Sequence, residues 1–201
     1  MIKNVCFDVG NVLIDYQPDR YLREIGVPDF KREAMLKDIF FSEEWQQLDN
    51  GDITFDEAYD IIERKSILTR EEIISVFEDH LLKIFSLIDA NVRLLPVIKQ
   101  YGYKLYYISN FTERYFYRMQ QKFPIWDIFD DGVISAAIKM SKPGKDIFLY
   151  AFNQFGIDPK ESVFIDDLPD NVATAKSLGM ETINLPYGQP LKERLEELKI
   201  I

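Results

Sequence analysis

The 201-residue sequence has very few of the side chains that bind transition metals, with one cysteine and one histidine. Because Cys6 stands alone, the chain cannot form a disulfide framework or a thiolate cluster for zinc. Because His80 stands alone, a histidine-rich metal site is excluded. A Ser/His/Asp triad is also disfavoured, since its base would have to be this one residue in a helical segment. Reactive chemistry must be sought among other side chains.

Basic residues are scarce relative to acidic ones, with 24 lysines and arginines against 34 aspartates and glutamates and a net charge of −10. Such a field repels polyanions, so we expect no nucleic-acid partner. A small phosphorylated substrate stays compatible with this charge, because a bound cation and a few local donors can outweigh the average.

Long apolar runs are also missing from the sequence. No segment is long enough to span a bilayer, and residues 1–7 lack the basic region and apolar run of a signal peptide. The amphipathic segment 191–199 carries mixed charges, so we expect it to pack on the core. These features predict a cytoplasmic protein without a membrane partner, while the sequence does not indicate its oligomeric state.

Short apolar strands alternate with helices along most of the chain. Strand patterns cover residues 2–7, 103–108 and 162–165, with weaker ones at 133–134 and 182–184. Helical patterns that end at a glycine cover residues 91–101, 145–155 and 170–178, and Pro96 should kink the first of them. This alternation predicts a parallel sheet and an α/β fold.

Residues 15–88 behave differently, because they contain helical periodicity and almost no strand signal. Two capping boxes, which begin at Thr54 and Thr69, mark helix starts within this span. We therefore predict a core formed by residues 1–14 and 89–201 and an inserted helical cap formed by residues 15–88. Tyr16 and Trp45 lie where cap and linker could close over a substrate, although packing is the commoner role of such aromatic residues.

Polar side chains with useful chemistry follow the predicted strands. Asp8 follows the first strand, Ser109 the second, and Asp166 and Asp167 the third, while Lys142 precedes a helix start. Ligands of open parallel sheets bind beyond the carboxyl ends of the strands, so these side chains should meet at one edge. Each residue alone could be a turn, a helix cap or a solvated lysine, but the set together favours a site.

Four motifs in this order resemble those of the haloacid dehalogenase-like hydrolase superfamily, over nearly the whole chain. They are the segments FDVGNV (7–12), ISN (108–110), SKP (141–143) and DDLPDN (166–171). The resemblance implies a Rossmann-like three-layer core with a parallel sheet and, from the position of the insertion, a small α-helical cap. The first and last motifs are similar to those of bacterial sugar-1-phosphate phosphatases, among them α-D-glucose-1-phosphate phosphatases.

The resemblance implies a role for each residue that would handle the phosphoryl group. Asp8 would be the nucleophile that forms an aspartyl-phosphate. Lys142 would neutralise the phosphoryl oxygens and hold Asp8 ionised. Ser109 and the Asn110 amide would donate hydrogen bonds to the same oxygens.

The resemblance also implies a metal site. Mg²⁺ suits a site made only of oxygen ligands. Asp8, the backbone carbonyl of Gly10 and Asp167 would be its ligands, with Asp166 beside them as a direct or water-mediated partner. The acids of the last motif could instead favour a helix N-terminus, but crowding them costs repulsion that a cation would relieve.

Position 10 departs from the usual phosphatase pattern, in which a second aspartate protonates the leaving group. Gly10 offers no acid, and general acid–base help is typically worth about 10² to 10⁴ in rate. Asp15, Asp170 or a cap residue could substitute, and the sequence does not select among them. We predict a magnesium-dependent phosphatase of a small phosphate monoester. Sugar phosphates come first, because the anomeric oxygen of a sugar-1-phosphate is a somewhat better leaving group.

Two other functions stay open. A 2-haloacid dehalogenase would use Asp8 to attack carbon and would release halide without protonation. Dehalogenases of this superfamily keep no metal-binding acid pair, whereas Asp166 and Asp167 are both present here. The second alternative is a phosphate-binding module that lost turnover along with the second aspartate, and the retention of Asp8, Lys142 and Asp167 together argues against it.

Overall fold

Seven strands and thirteen α-helices are distributed over residues 1–201, all of which the structure, a computed structural model, describes. The strands are β1 (Asn4–Phe7), β2 (Ile14–Tyr16), β3 (Phe85–Leu87), β4 (Lys104–Ser109), β5 (Asp131–Ile134), β6 (Ser162–Asp166) and β7 (Glu181–Asn184). The helices are α1 (Pro18–Glu24), α2 (Asp29–Met35), α3 (Glu43–Asn50), α4 (Phe55–Lys65), α5 (Arg70–Ser75), α6 (Leu81–Ile84), α7 (Asp89–Val92), α8 (Leu94–Gln100), α9 (Glu113–Lys122), α10 (Ser135–Ile138), α11 (Lys145–Phe155), α12 (Pro169–Ser177) and α13 (Leu191–Glu197).

Five strands form a parallel sheet in the order β5-β4-β1-β6-β7. β1 lies at its centre, where Cys6 is level with Tyr106 of β4 on one side and Phe164 of β6 on the other. The chain proceeds from β1 outward in both directions, so the strand order changes direction beside β1, which is where open α/β sheets bind ligands. The predicted α/β fold with a Rossmann-like core is confirmed.

Helices cover both faces of the sheet because the strand side chains alternate in direction. Val5 and Phe7 belong to a large buried cluster that includes α8 and α9, whereas Cys6 belongs to a smaller cluster with α11 and α12. Both faces are therefore apolar, as a buried parallel sheet requires. None of the helices has both the length and the apolar character that a membrane crossing needs.

Helices α1 to α6 form a helical insertion, which we define as residues 18–84. The prediction missed the two short strands that flank it, β2 and β3, which pair antiparallel. Both predicted capping boxes are formed, at the starts of α4 and α5. The buried side chains of the insertion join the same cluster as Val5 and Phe7. That the span 15–88 acts as a separate cap domain stays a prediction.

The predicted helix over residues 91–101 is divided into α7 and α8 at Arg93. Pro96 therefore lies in the first turn of α8, where its missing N–H has no intrahelical acceptor to lose. Gly156 and Gly179, which follow α11 and α12, adopt the positive φ angles of 63° and 99° that favour glycine after a helix. The C-terminal segment forms α13, whose Leu191 and Leu195 are buried in the core.

Candidate active site

The carboxyl ends of three neighbouring strands bring the predicted site residues together. Asp8 directly follows β1, Ser109 ends β4 and Asp166 ends β6. A cavity of about 200 Å³ opens at this edge of the sheet, with walls from the core and from the helical insertion. Every residue predicted for the site lines this cavity except Asp166, which lies beneath it and is completely buried.

Lys142 is a buried ammonium group held between two carboxylates. Its Nζ donates to Asp8 Oδ1 at 2.6 Å and to Asp166 Oδ2 at 2.7 Å, and the side chain is only 2% exposed. Asn110 fixes the Lys142 backbone, because its side chain accepts from the Lys142 N–H at 2.9 Å and donates to the Lys142 carbonyl at 2.8 Å. The Asn110 side chain is thereby occupied, so any contact of Asn110 with phosphate falls to its backbone N–H.

Asp166 and Asp167 are neighbours with different surroundings. Asp166 Oδ1 accepts from the Leu168 N–H at 2.8 Å, and both carboxylate oxygens accept from Asn171 Nδ2 at 3.0 Å. Asp167 Oδ2 accepts only from Asn11 Nδ2, at 3.2 Å, and this carboxylate lines the cavity. Asp166 is thus committed to holding the lysine, while Asp167 is available to a ligand.

The pKa values at this edge of the sheet reflect burial and an excess of acids. Burial raises the pKa of Asp8, and although the Lys142 ammonium lowers it, Asp166 raises it again, so that it stays above its ordinary value. Burial lowers the pKa of Lys142, but Asp166 and Asp8 outweigh burial and raise it. Burial and the neighbouring Asp166 raise the pKa of Asp167. The lysine alone does not neutralise the acids.

Three carboxylates, those of Asp8, Asp166 and Asp167, have oxygens within 4.8 Å of one another. With all three ionised and Lys142 protonated, the group carries two negative charges in excess, which a divalent cation would balance. Gly10 lines the same cavity and carries a carbonyl oxygen. An all-oxygen set of carboxylates and a carbonyl is the kind of site that Mg²⁺ takes, so the residues present fit this ion.

The wall contributed by β2, β3 and the helical insertion is aromatic. Tyr16 stacks on Trp45 and on Phe85, with ring centroids 6.0 Å and 5.4 Å away. All three residues line the cavity, and the Tyr16 hydroxyl is buried without a hydrogen-bond partner. Asp49 of α3 is the only acid that the insertion adds to the cavity, and Lys142 is the only basic residue in its walls.

Three polar residues of the cavity were not predicted as site residues. Asn11 holds Asp167 while its Oδ1 accepts from the Tyr16 N–H at 3.3 Å, and Asn171 holds Asp166. Asn11 lies in the FDVGNV motif and Asn171 in the DDLPDN motif. Asn11 adopts a positive φ of 54°, a conformation that asparagine tolerates better than most residues. Asp49 left no sequence signal, because acids on an exposed helix face are common.

Comparison with known proteins identifies the class that this fold and site define. The sequence profile of the haloacid dehalogenase-like hydrolase family matches residues 32–185. The chain belongs to this family, as its motifs predicted, and is therefore a hydrolase with a Rossmann-like core. The finer similarity to α-D-glucose-1-phosphate phosphatases stays a prediction.

Curated relatives and solved structures include phosphatases of this family. The chain is 28% identical to a sesquiterpene phosphatase of Aspergillus oryzae, over 91% of this chain and 89% of that protein. It is 27% identical to a D-ribitol-5-phosphate phosphatase of Bacteroides thetaiotaomicron, over 97% of each chain. A family enzyme of Bacteroides thetaiotaomicron in complex with magnesium and inorganic phosphate superposes with a TM-score of 0.77 at 25% identity, covering 96% of this chain and 99% of that one. These likenesses are consistent with a phosphoric monoester hydrolase.

Proposed function

We propose that this protein is a magnesium-dependent phosphatase that hydrolyses a small phosphate monoester through an aspartyl-phosphate on Asp8. The observation that carries the proposal is the buried hydrogen-bonded series Asp8–Lys142–Asp166 beside the Asp167 carboxylate, which lines the cavity. It combines a nucleophile, a fixed positive charge and an acidic group that fits Mg²⁺. The magnesium and phosphate in a structural relative support the same assignment.

Each residue has a defined part in this reaction. Asp8 attacks phosphorus in line with the bond to the leaving group, and Lys142 neutralises the oxygens of the transferred group. The Ser109 hydroxyl and the Asn110 backbone N–H donate to the same oxygens. Asp8, Asp167 and the Gly10 carbonyl would hold the Mg²⁺, which supplies further neutralisation of the phosphoryl charge when bound. Asp166 keeps Lys142 in place and charged.

The composition of the cavity argues for an uncharged leaving group. Aromatic walls such as Tyr16 and Trp45 suit the apolar faces of a sugar, and Asp49 and the Tyr16 hydroxyl suit its hydroxyl groups. Phosphoglycolate phosphatases are also among the relatives, at 23% identity for the enzyme of Pasteurella multocida. An acidic leaving group would find no basic partner here besides Lys142, which already contacts two carboxylates. We therefore infer a sugar phosphate as the substrate.

Phosphate release from p-nitrophenyl phosphate, with magnesium and with a chelator, tests the chemistry. Turnover should require magnesium and fall by on the order of 10⁴-fold or more in Asp8→Asn, because no other nucleophile lines the cavity in the same position. Wild-type protein incubated with ³²P-labelled substrate should carry a label that hydroxylamine removes, as expected for an acyl phosphate. Unchanged activity with chelator, or in Asp8→Asn protein that melts like wild type, would contradict the mechanism.

A substrate panel tests the specificity and the two other functions. Sugar phosphates should be hydrolysed with higher kcat/KM than phosphoglycolate, and farnesyl phosphate serves as the apolar comparison. Chloride release from 2-chloropropionate would support the dehalogenase instead. Inactivity on all of these substrates, together with phosphate binding measured by calorimetry, would support a binding module.

A further inference from the structure

Because position 10 is a glycine, the leaving group has no proton donor on β1 or the loop that follows it. The helical insertion contributes an acid to the other side of the cavity. We propose that Asp49 of the helical insertion is the catalytic residue that protonates the leaving-group oxygen and then activates the hydrolytic water. This proposal rests on the proposed phosphatase function. It assigns to α3 a chemical role in addition to any role in substrate selection.

The end of α3 is fixed against the core, so Asp49 is held in place. Gly51 follows α3 with a φ of 73°, and a Cβ at this position would lie 2.9 Å from the carbonyl oxygen of Ala136. Ser135 Oγ donates to the Asp49 carbonyl and accepts from the Phe111 N–H at 2.9 Å. These contacts join the helix end to the loop that follows Ser109, so the Asp49 backbone is anchored on the phosphate side of the cavity.

Asp49 is half-buried and lines the cavity. The apolar surroundings raise the pKa of its carboxyl group well above the ordinary value, although the nearby Trp45 side chain and Thr112 backbone N–H lower it. No basic residue of the cavity besides Lys142 could hold it ionised, and Lys142 is paired with Asp8 and Asp166. The absence of a free cation beside Asp49 favours the neutral form that a proton donor requires.

The two other candidate acids are placed less well. Asp15 pairs with Arg20 and lines a different cavity, beside Tyr187. Asp170 is exposed in the first turn of α12 and lines only the neighbouring groove. Asp49 lines both that groove and the cavity that contains Asp8. The geometry thus selects Asp49 among the acids that could replace the missing aspartate.

The proposed step balances over the two halves of the reaction. In the first half, an Asp8 oxygen forms a bond to phosphorus, the bond from phosphorus to the leaving oxygen breaks, and Asp49 gives that oxygen its proton. In the second half, Asp49 as carboxylate takes a proton from water while the water oxygen bonds to phosphorus and the bond to Asp8 breaks. Asp49 ends protonated, Asp8 ends as a carboxylate, and inorganic phosphate is released.

Asp49→Asn tests this role, because asparagine keeps the size of the side chain and one oxygen acceptor but has no proton to give from a carboxyl group. Turnover of a sugar phosphate should fall by about 10² to 10⁴-fold. With p-nitrophenyl phosphate, whose leaving group needs no proton, the variant should release a burst of p-nitrophenolate equal to the enzyme concentration and then turn over slowly. Asp52→Asn removes an acid three residues away that does not line the cavity. It should leave the turnover of both substrates unchanged.

A carboxyl group introduced at position 10 should restore activity to the Asp49→Asn variant. A Cβ at Gly10 would lie 3.9 Å from Asp8 Oδ2, which is an ordinary contact, so the backbone has room for the Cβ that Gly10→Asp adds. In the Asp49→Asn background it should restore sugar-phosphate turnover at least about tenfold, as expected for a regained general acid. Unchanged kcat in Asp49→Asn, or a raised KM alone without a burst, would overturn the role of Asp49 while leaving the phosphatase intact. Failure of the wild-type protein to release phosphate from any monoester would instead overturn the proposed function itself.

Discussion

The two halves of the cavity are lined by different kinds of side chain. The core half is ionic: Asp8, Lys142 and Asp166 are buried and joined by hydrogen bonds of 2.6 and 2.7 Å. The half formed by β2, β3 and the helical insertion is aromatic, with the rings of Tyr16 and Trp45 stacked at a centroid distance of 6.0 Å. Asp49 is its one acid, and no basic residue lies in it.

This difference indicates that the two halves of the cavity have different roles in the proposed reaction. A transferred phosphoryl group carries the same charge in every substrate, so the groups that neutralise it belong on the rigid ends of parallel strands. Leaving groups differ in shape and polarity, so we expect the surface that selects them to lie on β2, β3 and the helical insertion. Changes in the ionic half should therefore abolish chemistry, whereas changes to the aromatic side chains of the other half should redistribute substrates.

After the substitutions of Asp8 and Asp49 described above, the largest effect is expected from Asp167→Asn in the ionic half. The substitution keeps an acceptor for Asn11 but removes a negative charge from the proposed metal site, and kcat/KM should fall by about 10² to 10³-fold. Magnesium should also stabilise the wild-type protein by about 2.7 kcal/mol at a concentration of 100 times Kd. For a chain of this size that corresponds to roughly 5 to 10 °C in melting temperature, and the variant should lose most of it.

Asp170→Asn is the matched control for this experiment, because it removes an exposed acid from the same loop and helix start without touching the cavity that contains Asp8. It should keep both the activity and the stabilisation by magnesium. An equal magnesium-induced rise in melting temperature for wild type and Asp167→Asn, measured by differential scanning fluorimetry, would show that Asp167 is not a ligand.

The ionic half could be predicted from the sequence because its parts follow strands. Asp8, Ser109 and Asp166 end up together since the carboxyl ends of adjacent parallel strands share one edge. The order of the motifs along the chain was enough to predict that these side chains lie close together. The sequence did not indicate that Asp166 would be sealed beneath the cavity, because the burial of one of two adjacent aspartates depends on the register of β6 with β1.

The aromatic half could not be predicted in the same way. Tyr16 and Phe85 are 69 positions apart and meet because β2 and β3 pair antiparallel, a contact between two three-residue strands with no clear pattern. Asp49 reaches the cavity because Gly51 lets α3 end against Ala136, a tertiary contact that local sequence does not encode. Helix ends such as Thr54 were predictable, since a capping box is local.

A smaller effect is expected from Tyr16→Phe, which removes a buried hydroxyl without a partner. Removing such a group should leave stability unchanged or slightly higher, because the folded protein loses no hydrogen bond. If a sugar hydroxyl normally pairs with it, KM for the sugar phosphate should rise about three- to tenfold. KM for farnesyl phosphate, which has no hydroxyl to pair, should stay constant.

Tyr115→Phe is the control for this substitution, since its hydroxyl is also buried without a partner but does not line the cavity. It should leave KM for both substrates unchanged. A rise in KM of the same size in both variants would show that the effect comes from packing in the shared aromatic cluster and not from contact with the substrate.

The smallest effect is expected from the ion pair between Lys65 and Glu44, which joins α4 to α3 in the insertion. Its Nζ–Oε2 distance of 2.5 Å is close to that of the Lys142 pairs, but Lys65 is 41% exposed whereas Lys142 is 2% exposed. Solvent screens the exposed pair, so Lys65→Met should cost only about 0.5 to 1 kcal/mol. Turnover should not change, and exposed Lys37→Met is the control for loss of a charge on the insertion.

The pH dependence of this loss follows from Glu44. Burial raises its pKa, but hydrogen bonds from Lys65 and from its own backbone N–H outweigh burial and lower the pKa below 4.5. A carboxyl group with a lowered folded-state pKa stabilises the protein above its ordinary pKa, and this contribution is lost as the pH falls through the lowered value. The difference in melting temperature between wild type and Lys65→Met should therefore be full at pH 7 and shrink below pH 4.5. A difference that persists unchanged in acid would mean that Lys65 acts through its methylene packing, because loss of the Glu44 charge would then have no effect.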